Sequence, residues 1–423
     1  MKCCIYTLGC KVNQYESEAL GLMLEESGCV VEYGLVLADY YILNTCAVTN
    51  EAEHKSREVV AKINKINPNA KIFVCGCSSQ LHPDTFLSRN NVKFVCGTEA
   101  KEQIVDCINN ENKIVSIAPI DDANYNTKYK IKGERIRSYL KIQDGCNNFC
   151  SYCIIPYTRG RERSREPQAV FDEYRRLCLN SKEVVLVGIN LSHYGSERND
   201  GVKLANIIDG FNNFETVRIR ISSLESDAIT EDFMKVLKNS KGFCPSFHIP
   251  LQSGSDNVLK SMNRHYNFKE YSEAIALIRK YFPNASIATD VIVGFPTESE
   301  EDFAEALENI KSIGFSSMHI FPFSKRGGTV ADKMPQIDGK IVKERILRLK
   351  QLATKSRELY LNSQLGLIDE VLVEEMSDGE YVGFGKNYVK CYIDSKRAIV
   401  NEVVKVKYKE VYKLGLRGEV LDG

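Results

Sequence analysis

Several things are missing from this chain, and each absence closes off a class of function. Neither sign of charge is in excess: 56 Lys and Arg balance 56 Asp and Glu, for a formal net charge of zero. Capture of nucleic acid by an overall positive field is therefore excluded, and any such binding has to come from local basic patches. No apolar run approaches the roughly 18 residues of a membrane-spanning helix. No secretory leader is visible, because Met1-Lys2-Cys3-Cys4 runs straight into a strand-like Ile5-Tyr6. The expectation is a cytoplasmic protein without a membrane partner. In a reducing compartment, the fifteen cysteines of the 423 residues read as metal ligands and core residues, not as a disulfide framework. The length suits two or three domains. A content of 43% hydrophobic and 26% charged residues is ordinary for a globular chain.

Three cysteines fall within eight residues, in Cys146-Asn147-Asn148-Phe149-Cys150-Ser151-Tyr152-Cys153, spaced C-x3-C-x2-C. Thiols this close on one loop grip a single iron–sulfur cluster, and a four-iron cubane would keep one iron open beyond the three sulfurs. Structural zinc wants four closed ligands, usually in paired C-x2-C knuckles, and no second knuckle follows within twenty residues. A disulfide would leave one thiol over, and the spacing is poor for a bridge.

Residues 1–112 alternate strand and helix patterns. Strands are expected at Cys3–Leu8, Tyr40–Asn44, Lys71–Val74 and Lys93–Val95, and helices at Gln14–Ser27 and Val48–Ile66. Ala19, Leu22 and Met23 line one helix face, and Val59, Ile63 and Ile66 the other. The alternation predicts an α/β fold with a doubly wound parallel sheet, whose carboxyl strand ends share one ligand-binding edge. Cys10, Cys46 and Cys77 close the first three strands and are able to converge there. Cys75 and Cys96 compete for the role. Alternation along an extended strand puts Cys75 on the same side as Cys77, and Cys96 ends the fourth strand. Spacing alone does not choose. A cysteine taken singly is an ordinary small core residue, as Cys3, Cys4, Cys29, Cys107, Cys178, Cys244 and Cys391 are read here.

Residues 113–133, including Asp121-Asp122-Ala123-Asn124-Tyr125-Asn126, are polar and aperiodic and read as a linker. Alternation resumes over 134–360, with strands expected at 138–143, 184–189, 217–221, 246–251, 287–293 and 317–321. Six strand–helix units fall short of a closed eightfold barrel. The cysteine loop follows the first strand, at the carboxyl mouth where barrel active sites sit. Other strand ends line the same mouth: Gly188-Ile189-Asn190, Ser222-Ser223, Pro250 to Ser255 with Gln252 and Ser253, and Asp290 to Phe295 with Gly294. They bring hydroxyls, amides, one carboxylate and glycines that permit close approach. His248 reads as a satisfied core histidine. Arg159, Arg161, Arg163 and Arg165 suit phosphates or a substrate carboxylate. The competing reading is a solvated loop that pairs with Glu162 and Glu166. An amphipathic helix over 341–362 points Ile346, Leu349 and Ala353 inward.

Residues 361–423 change to five short strands broken by Asp378-Gly379, Gly383 and Gly385, which predicts a small antiparallel barrel. From Tyr381 onward nine Lys and Arg, including Lys396 and Arg397, outnumber five Asp and Glu, including Asp422. Phe384 and Tyr388 sit among them. Aromatics interleaved with basic residues suit an RNA backbone and its unstacked bases, against the plainer reading of a solvated sheet face.

Taken as strings, these segments carry a resemblance. C-x3-C-x2-C with Tyr152 before the last cysteine resembles the radical S-adenosylmethionine superfamily. CNNFCSYCIIPYTRGRERSR, from Cys146 to Arg165, resembles the methylthiotransferases, which put a CH3S group on tRNA or on a ribosomal protein. TLGCKVNQYES (Thr7 to Ser17), NTCAVT (Asn44 to Thr49) and Gly76-Cys77 resemble the cluster motifs of that family's N-terminal domain. VGFGKNYVK (Val382 to Lys390) resembles its RNA-binding TRAM domain.

The resemblance spans essentially the whole chain. It implies an auxiliary-cluster domain over 1–112, a linker over 113–133, a partial radical core barrel over 134–360 and a TRAM domain over 361–423. It also implies two [4Fe–4S] clusters, and selects Cys77 over Cys75, which falls where the family usually carries another residue. Cys146, Cys150 and Cys153 would hold the cluster that binds S-adenosylmethionine. Cys10, Cys46 and Cys77 would hold the sulfur-donating one. Tyr152, Gly188, Asn190, Ser222, Ser223, Gln252, Ser253, Asp290, Gly294 and Phe295 would contact S-adenosylmethionine. An electron donor such as a flavodoxin or ferredoxin is implied as a partner, as is the anticodon stem-loop of tRNA. The strings resemble the branch that modifies C2 of N6-threonylcarbamoyladenosine at tRNA position 37, with an Arg or Lys near the mouth expected to read the threonyl carboxylate. The alternatives are a methylthiotransferase for isopentenyladenosine tRNA or a ribosomal-protein aspartate, and a non-enzymatic iron–sulfur RNA binder.

Overall fold

The computed structural model describes residues 1–108, 113–120, 125, 129–133, 135–215, 217–395 and 399–421. Of the polar stretch read as a linker, 121–124 and 126–128 lie outside the described residues, as do position 112 at its expected edge and Lys396, Arg397 and Asp422 of the basic C-terminal segment.

The first sheet is built from β1 (Lys2–Thr7), β2 (Val30–Tyr33), β3 (Tyr40–Thr45), β4 (Lys71–Gly76), β5 (Val92–Cys96) and β6 (Ile114–Ser116). Its order is β2-β1-β3-β4-β5-β6 with every pair parallel, so all carboxyl ends share one edge. The four inner strands were legible as apolar runs. The edge strands β2 and β6 are half exposed and carry too few buried positions to signal themselves. β6 lies inside the stretch read as a linker, which begins later than the sequence suggests. Helices α1 (Lys11–Glu26), α2 (Asn50–Ile66), α3 (Cys77–Leu81), α4 (Pro83–Leu87) and α5 (Gln103–Cys107) connect the strands. Thr49 caps α2 by accepting from the Ala52 amide at 3.1 Å.

The second unit alternates β7 (Arg137–Lys141), the short pair β8 (Gln143–Asp144) and β9 (Arg163–Ser164) flanking α6 (Ile155–Arg159), then α7 (Pro167–Cys178), β10 (Glu183–Val187), α8 (Leu204–Gly210), β11 (Arg218–Ile221) and α9 (Glu231–Asn239). It continues through β12 (Ser246–His248), α10 (Asp256–Ser261), α11 (Phe268–Tyr281), β13 (Ser286–Val293), α12 (Glu300–Ile313), β14 (Ser317–Pro322) and the long α13 (Gly339–Ser363). Two parallel three-stranded sheets, β11-β10-β7 and β12-β13-β14, are joined by the isolated parallel bridges Ile219↔Phe243 and Ser223↔His248. The result is the expected open half-barrel of six strands. The period of two along each strand turns one set of side chains inward. Arg137, Tyr139, Val185, Val187, Arg220, Ser222, His248, Asp290 and His319 therefore line its interior.

The C-terminal strands β15 (Ile368–Ser377), β16 (Glu380–Phe384), β17 (Lys390–Ile393), β18 (Val403–Tyr412) and β19 (Gly415–Val420) close as β15-β16-β17-β19-β18. All pairs are antiparallel except β17–β19, which run parallel. Leu361 of α13 packs into this barrel's core beside Val371, Cys391 and Val406, so the helix runs through the expected boundary at 360. The barrel plugs the amino end of the half-barrel. Glu183 pairs with Arg137 at 2.6 Å, Arg218 at 2.9 Å and Arg220 at 2.8 Å. The last two arginines donate to the carbonyls of Phe384, Gly385 and Lys386. Phe384 and Tyr388 stack on each other, and Arg137 lies over both rings. These two aromatics, expected to face RNA, stack against Arg137, with Arg220 also over the Tyr388 ring, while Tyr388 remains partly exposed. Among the described residues no helix is long and apolar enough to cross a membrane.

Candidate active site: two cysteine triads and one cavity

The first triad sits on the turn after β8. Gly145 has φ +70°, and a Cβ there would strike the Arg161 carbonyl, so the turn requires glycine. Phe149 takes the left-handed conformation at φ +46° between the first two cysteines. N–H donors already aim at the sulfurs: Arg264 Nη1 lies 3.2 Å from Cys150 Sγ, and the Asn148 amide 3.5 Å from Cys146 Sγ. Burial pushes the Cys146 thiol up to about 11 and that of Cys153 up to about 12. All three cysteines are free. Thiols this reluctant to ionise alone become good ligands when a metal's charge offsets the burial.

The second triad comes from three strand ends. Cys10 precedes α1, Cys46 follows β3 and Cys77 opens α3. Gly9 has φ +96°, and a Cβ on it would meet Cys46 Sγ at 2.8 Å. The Asn13 amide ties the ends together by donating to the Leu8 carbonyl at 2.8 Å and the Thr45 carbonyl at 3.0 Å. Cys46 is pushed up to about 12 by burial and then by the Cys77 and Cys10 thiolates, and burial raises Cys77 too, with Cys10 contributing. The three thiols thus lie within reach of one another's charge. Gly76, at φ +105°, breaks the extended run. Cys75, expected on the same side as Cys77, instead stays inside β4 and packs with Cys96, Phe73 and Phe94 in the core. Cys77 packs against Ala47 and Ile154, the residue after Cys153.

Neither triad is drawn tight enough for a lone ion. Among the described residues, the one group of three His, Cys, Asp or Glu ligand atoms within 4.8 Å of one another is His248, Asp290 and His319. Four thiolates on one zinc would stand about 3.8 Å apart, from bonds of roughly 2.3 Å.

Between the triads runs a buried ionic network. Arg159 Nη1 donates to Glu16 at 2.9 Å and to Asp144 at 3.1 Å, and Arg159 Nη2 to Asn13 Oδ1 at 2.6 Å. Lys141 bonds both carboxylates at 2.6 Å, and Lys101 pairs with Glu16. Burial alone would raise the Glu16 carboxyl, but Arg159, Lys101 and Lys141 hold it well below its usual range. Arg163 pairs with Glu99 and Asp144, and Arg165 with Glu173. The partners of these arginines are Glu16, Asp144, Glu99 and Glu173, in place of the expected Glu162 and Glu166. Arg161 alone is exposed, over the Phe149 ring at 4.5 Å.

A cavity of about 820 Å³ fills the half-barrel between Cys10 and the C-terminal barrel. Of the predicted contacts, Gly188, Ser222, Ser223 and Asp290 line it. Asp290 Oδ1 accepts from His248 Nε2 at 2.9 Å and from His319 Nδ1 at 3.0 Å, and His248 Nδ1 meets Ser223 Oγ at 2.6 Å. Burial opposes ionisation of Asp290, but the two imidazoles hold its carboxyl below the usual range. His248 is satisfied, as expected, but faces the cavity rather than the core.

The other predicted residues lie around the cavity. Asn190 Nδ2 is 3.9 Å from Cys146 Sγ. The Gln252 amide, at φ +68°, donates to the Asp290 carbonyl at 2.9 Å. Ser253 Oγ accepts from the Ser255 amide. Gly294 packs on Val342, and Tyr152 with Phe295 on Val258 and Met262. The sequence reading missed Arg264, which lies more than a hundred residues from Cys150 and has no local signature. It also missed Lys11 and His319, both on the cavity wall. Lys11 was in plain sight beside Cys10.

A thiol triad at the mouth of an open parallel half-barrel defines a radical S-adenosylmethionine enzyme, and a family model described as the Radical SAM superfamily matches residues 140–310. A second model, described as Uncharacterized protein family UPF0004, matches residues 2–97. The chain is 38% identical over 420 residues, 95% of its length and 92% of the relative's, to the threonylcarbamoyladenosine tRNA methylthiotransferase MtaB of Bacillus subtilis. It is 33% identical over 444 residues, 99% of its length and 95% of the relative's, to the tRNA-2-methylthio-N(6)-dimethylallyladenosine synthase of Lachnoclostridium phytofermentans. Among solved structures, the radical S-adenosylmethionine methyltransferase TsrM from Kitasatospora setae shares the fold, with a TM-score of 0.53 and 13% identity over 76% of this chain and 74% of that one. The chain belongs to the radical S-adenosylmethionine methylthiotransferases. Membership implies a [4Fe–4S] cluster and S-adenosylmethionine.

Proposed function

We propose that this enzyme methylthiolates C2 of N6-threonylcarbamoyladenosine at position 37 of tRNA. The observation that carries the reading is the adjacency of the two triads: Cys77 packs on Ile154, beside Cys153, while Cys10 opens onto the half-barrel cavity. Full-length identity to a relative named for this reaction supports it. Cys146, Cys150 and Cys153 would hold one [4Fe–4S] cluster, and Cys10, Cys46 and Cys77 a second. When bound, the first with S-adenosylmethionine would supply radical hydrogen-abstraction chemistry for C2, and the second would supply the sulfur of the methylthio group.

The chain's own residues position and shield. Arg264 and Asn190 direct N–H groups at the first triad and so orient its sulfurs. The Glu16–Arg159–Asp144 network fixes the separation of the two sites. The Gly188 turn and Ser222, Ser223 and Asp290 form the wall against which S-adenosylmethionine would lie. Lys405, Lys407 and Lys409 stand exposed along one face of β18 while Val404, Val406 and Tyr408 are buried, a stripe suited to tRNA phosphates. The electron would come from a flavodoxin or ferredoxin in the cytoplasm. Modified nucleosides from a strain lacking the gene test the reading. The expected outcome is loss of the 2-methylthio derivative of threonylcarbamoyladenosine with its precursor retained. Loss of the 2-methylthio dimethylallyladenosine instead would move the enzyme to the other tRNA branch.

A further inference from the structure

The cavity wall carries Lys11, Arg137, Arg220, Arg357 and Lys390 against one carboxylate, Asp290. Four of these cations are already engaged. Arg137 and Arg220 bond Glu183. Arg357 donates to the Leu414 carbonyl. The Lys390 ammonium lies over the Tyr392 ring at 5.3 Å. Lys11 is different: it is exposed to the cavity and, among the described residues, its ammonium makes no hydrogen bond or ion pair. His319 lines the same cavity with Nδ1 committed to Asp290, and its Nε2 has no partner among the described residues. An ammonium that lines the cavity beside Cys10 with no partner of its own is free to take an anion from outside.

We infer that Lys11, assisted by His319, binds the carboxylate of the threonylcarbamoyl group and so selects this adenosine over unmodified or prenylated ones. The inference rests on the substrate reading above. Purine geometry favours it. C2 and C6 flank N1, so the N6 substituent lies on the same side of the ring as C2. When C2 is brought to the sulfur held near Cys10, that substituent arrives beside the residue next to Cys10. The phosphates depart from the opposite, ribose side.

Binding of three anticodon stem-loops to the cluster-loaded protein tests it: one with threonylcarbamoyladenosine, one with its methyl ester, and one with unmodified adenosine. The parent should bind the first at least about tenfold more tightly than the others, the order expected for the loss of a hydrogen bond between charged groups. Lys11→Gln should bind all three alike at unchanged iron content, Lys11→Arg should keep part of the preference, and His319→Gln should lose less than Lys11→Gln. A parent without preference would overturn the substrate reading itself. A parent with preference that Lys11→Gln retains overturns the role of Lys11. An equal loss for all three stem-loops would assign Lys11 to phosphate and overturn it too.

Discussion

Cys146, Cys150 and Cys153 ride on one loop, while Cys10, Cys46 and Cys77 arrive from the ends of three strands. The first triad needs only its own turn, fixed by Gly145 and the left-handed Phe149. The second needs the register Thr7↔Asn44 and Thr45↔Gly76, which sets the three strand ends level before Cys10, Cys46 or Cys77 is reached. One site is a property of sequence, the other a property of a folded sheet. The difference teaches where each is vulnerable. A point change in the loop removes the first site alone, whereas anything that loosens the sheet removes the second. The two are joined through Ile154, the Thr98–Thr158 hydrogen bond and the ionic network.

The largest expected effect separates the sites outright. Anaerobically reconstituted parent should hold about eight irons, and Cys146→Ala and Cys10→Ala about four each. Cys146→Ala should form no 5′-deoxyadenosine. Cys10→Ala should still form it while making no methylthiolated product. If both variants lose both clusters, the sites are not independent and the comparison fails.

Next comes the joint between them. Arg159 is fully buried, and removing one member of a buried charge group costs about 3–5 kcal/mol because its partners are left uncompensated. Arg159→Met should therefore lower the unfolding midpoint sharply. Its second cluster should be lost more readily than the first, since Arg159 also holds Asn13, which ties Leu8 to Thr45. Equal lability of the two clusters in this variant would show that the network does not serve the second site in particular.

Legibility followed the same division. The loop triad could be read directly, and so could the inner strands, because both signals are local. The convergence of Cys10, Cys46 and Cys77 required the parallel sheet as an intermediate. The choice between Cys75 and Cys77 was beyond spacing, because alternation assumes an extended chain and Gly76 breaks it at φ +105°. The arginines after the loop misled for a related reason. Composition shows their charge, but not that Glu16 and Glu99 come to meet them from distant segments and Glu173 from the following helix. Phe384 and Tyr388 have the composition of an RNA surface, yet domain docking places them over Arg137. Long-range partners are what a linear pattern omits.

Arg264 is such a partner, and its removal should act on one triad only. Its guanidinium donates to Cys150 Sγ and also pairs with Glu225. Loss of an outer partner of a metal ligand commonly costs 10–100-fold in affinity or activity. Arg264→Gln should slow 5′-deoxyadenosine formation by about tenfold or more at unchanged total iron. A shifted reduction midpoint for one cluster, followed by its spectrum, would tie the effect to the sulfur contact. An identical shift in both clusters would point to a general loosening instead.

The smallest effect is the sharpest check on the sheet-built site. Cys75 and Cys96 are fully buried and packed with Phe73 and Phe94, whereas Cys77 packs with Ala47 and Ile154. If only the sulfurs at the carboxyl edge serve the second cluster, Cys75→Ala removes a core contact and nothing else. Its stability should fall by about 1 kcal/mol, as for an ordinary core truncation of one heavy atom. Iron content and product formation should match the parent. Cys77→Ala, two residues further on, should lose about four irons. Loss of iron from Cys75→Ala would mean that this thiol reaches the edge in the loaded protein, and that the kink at Gly76 does not divide ligand from core.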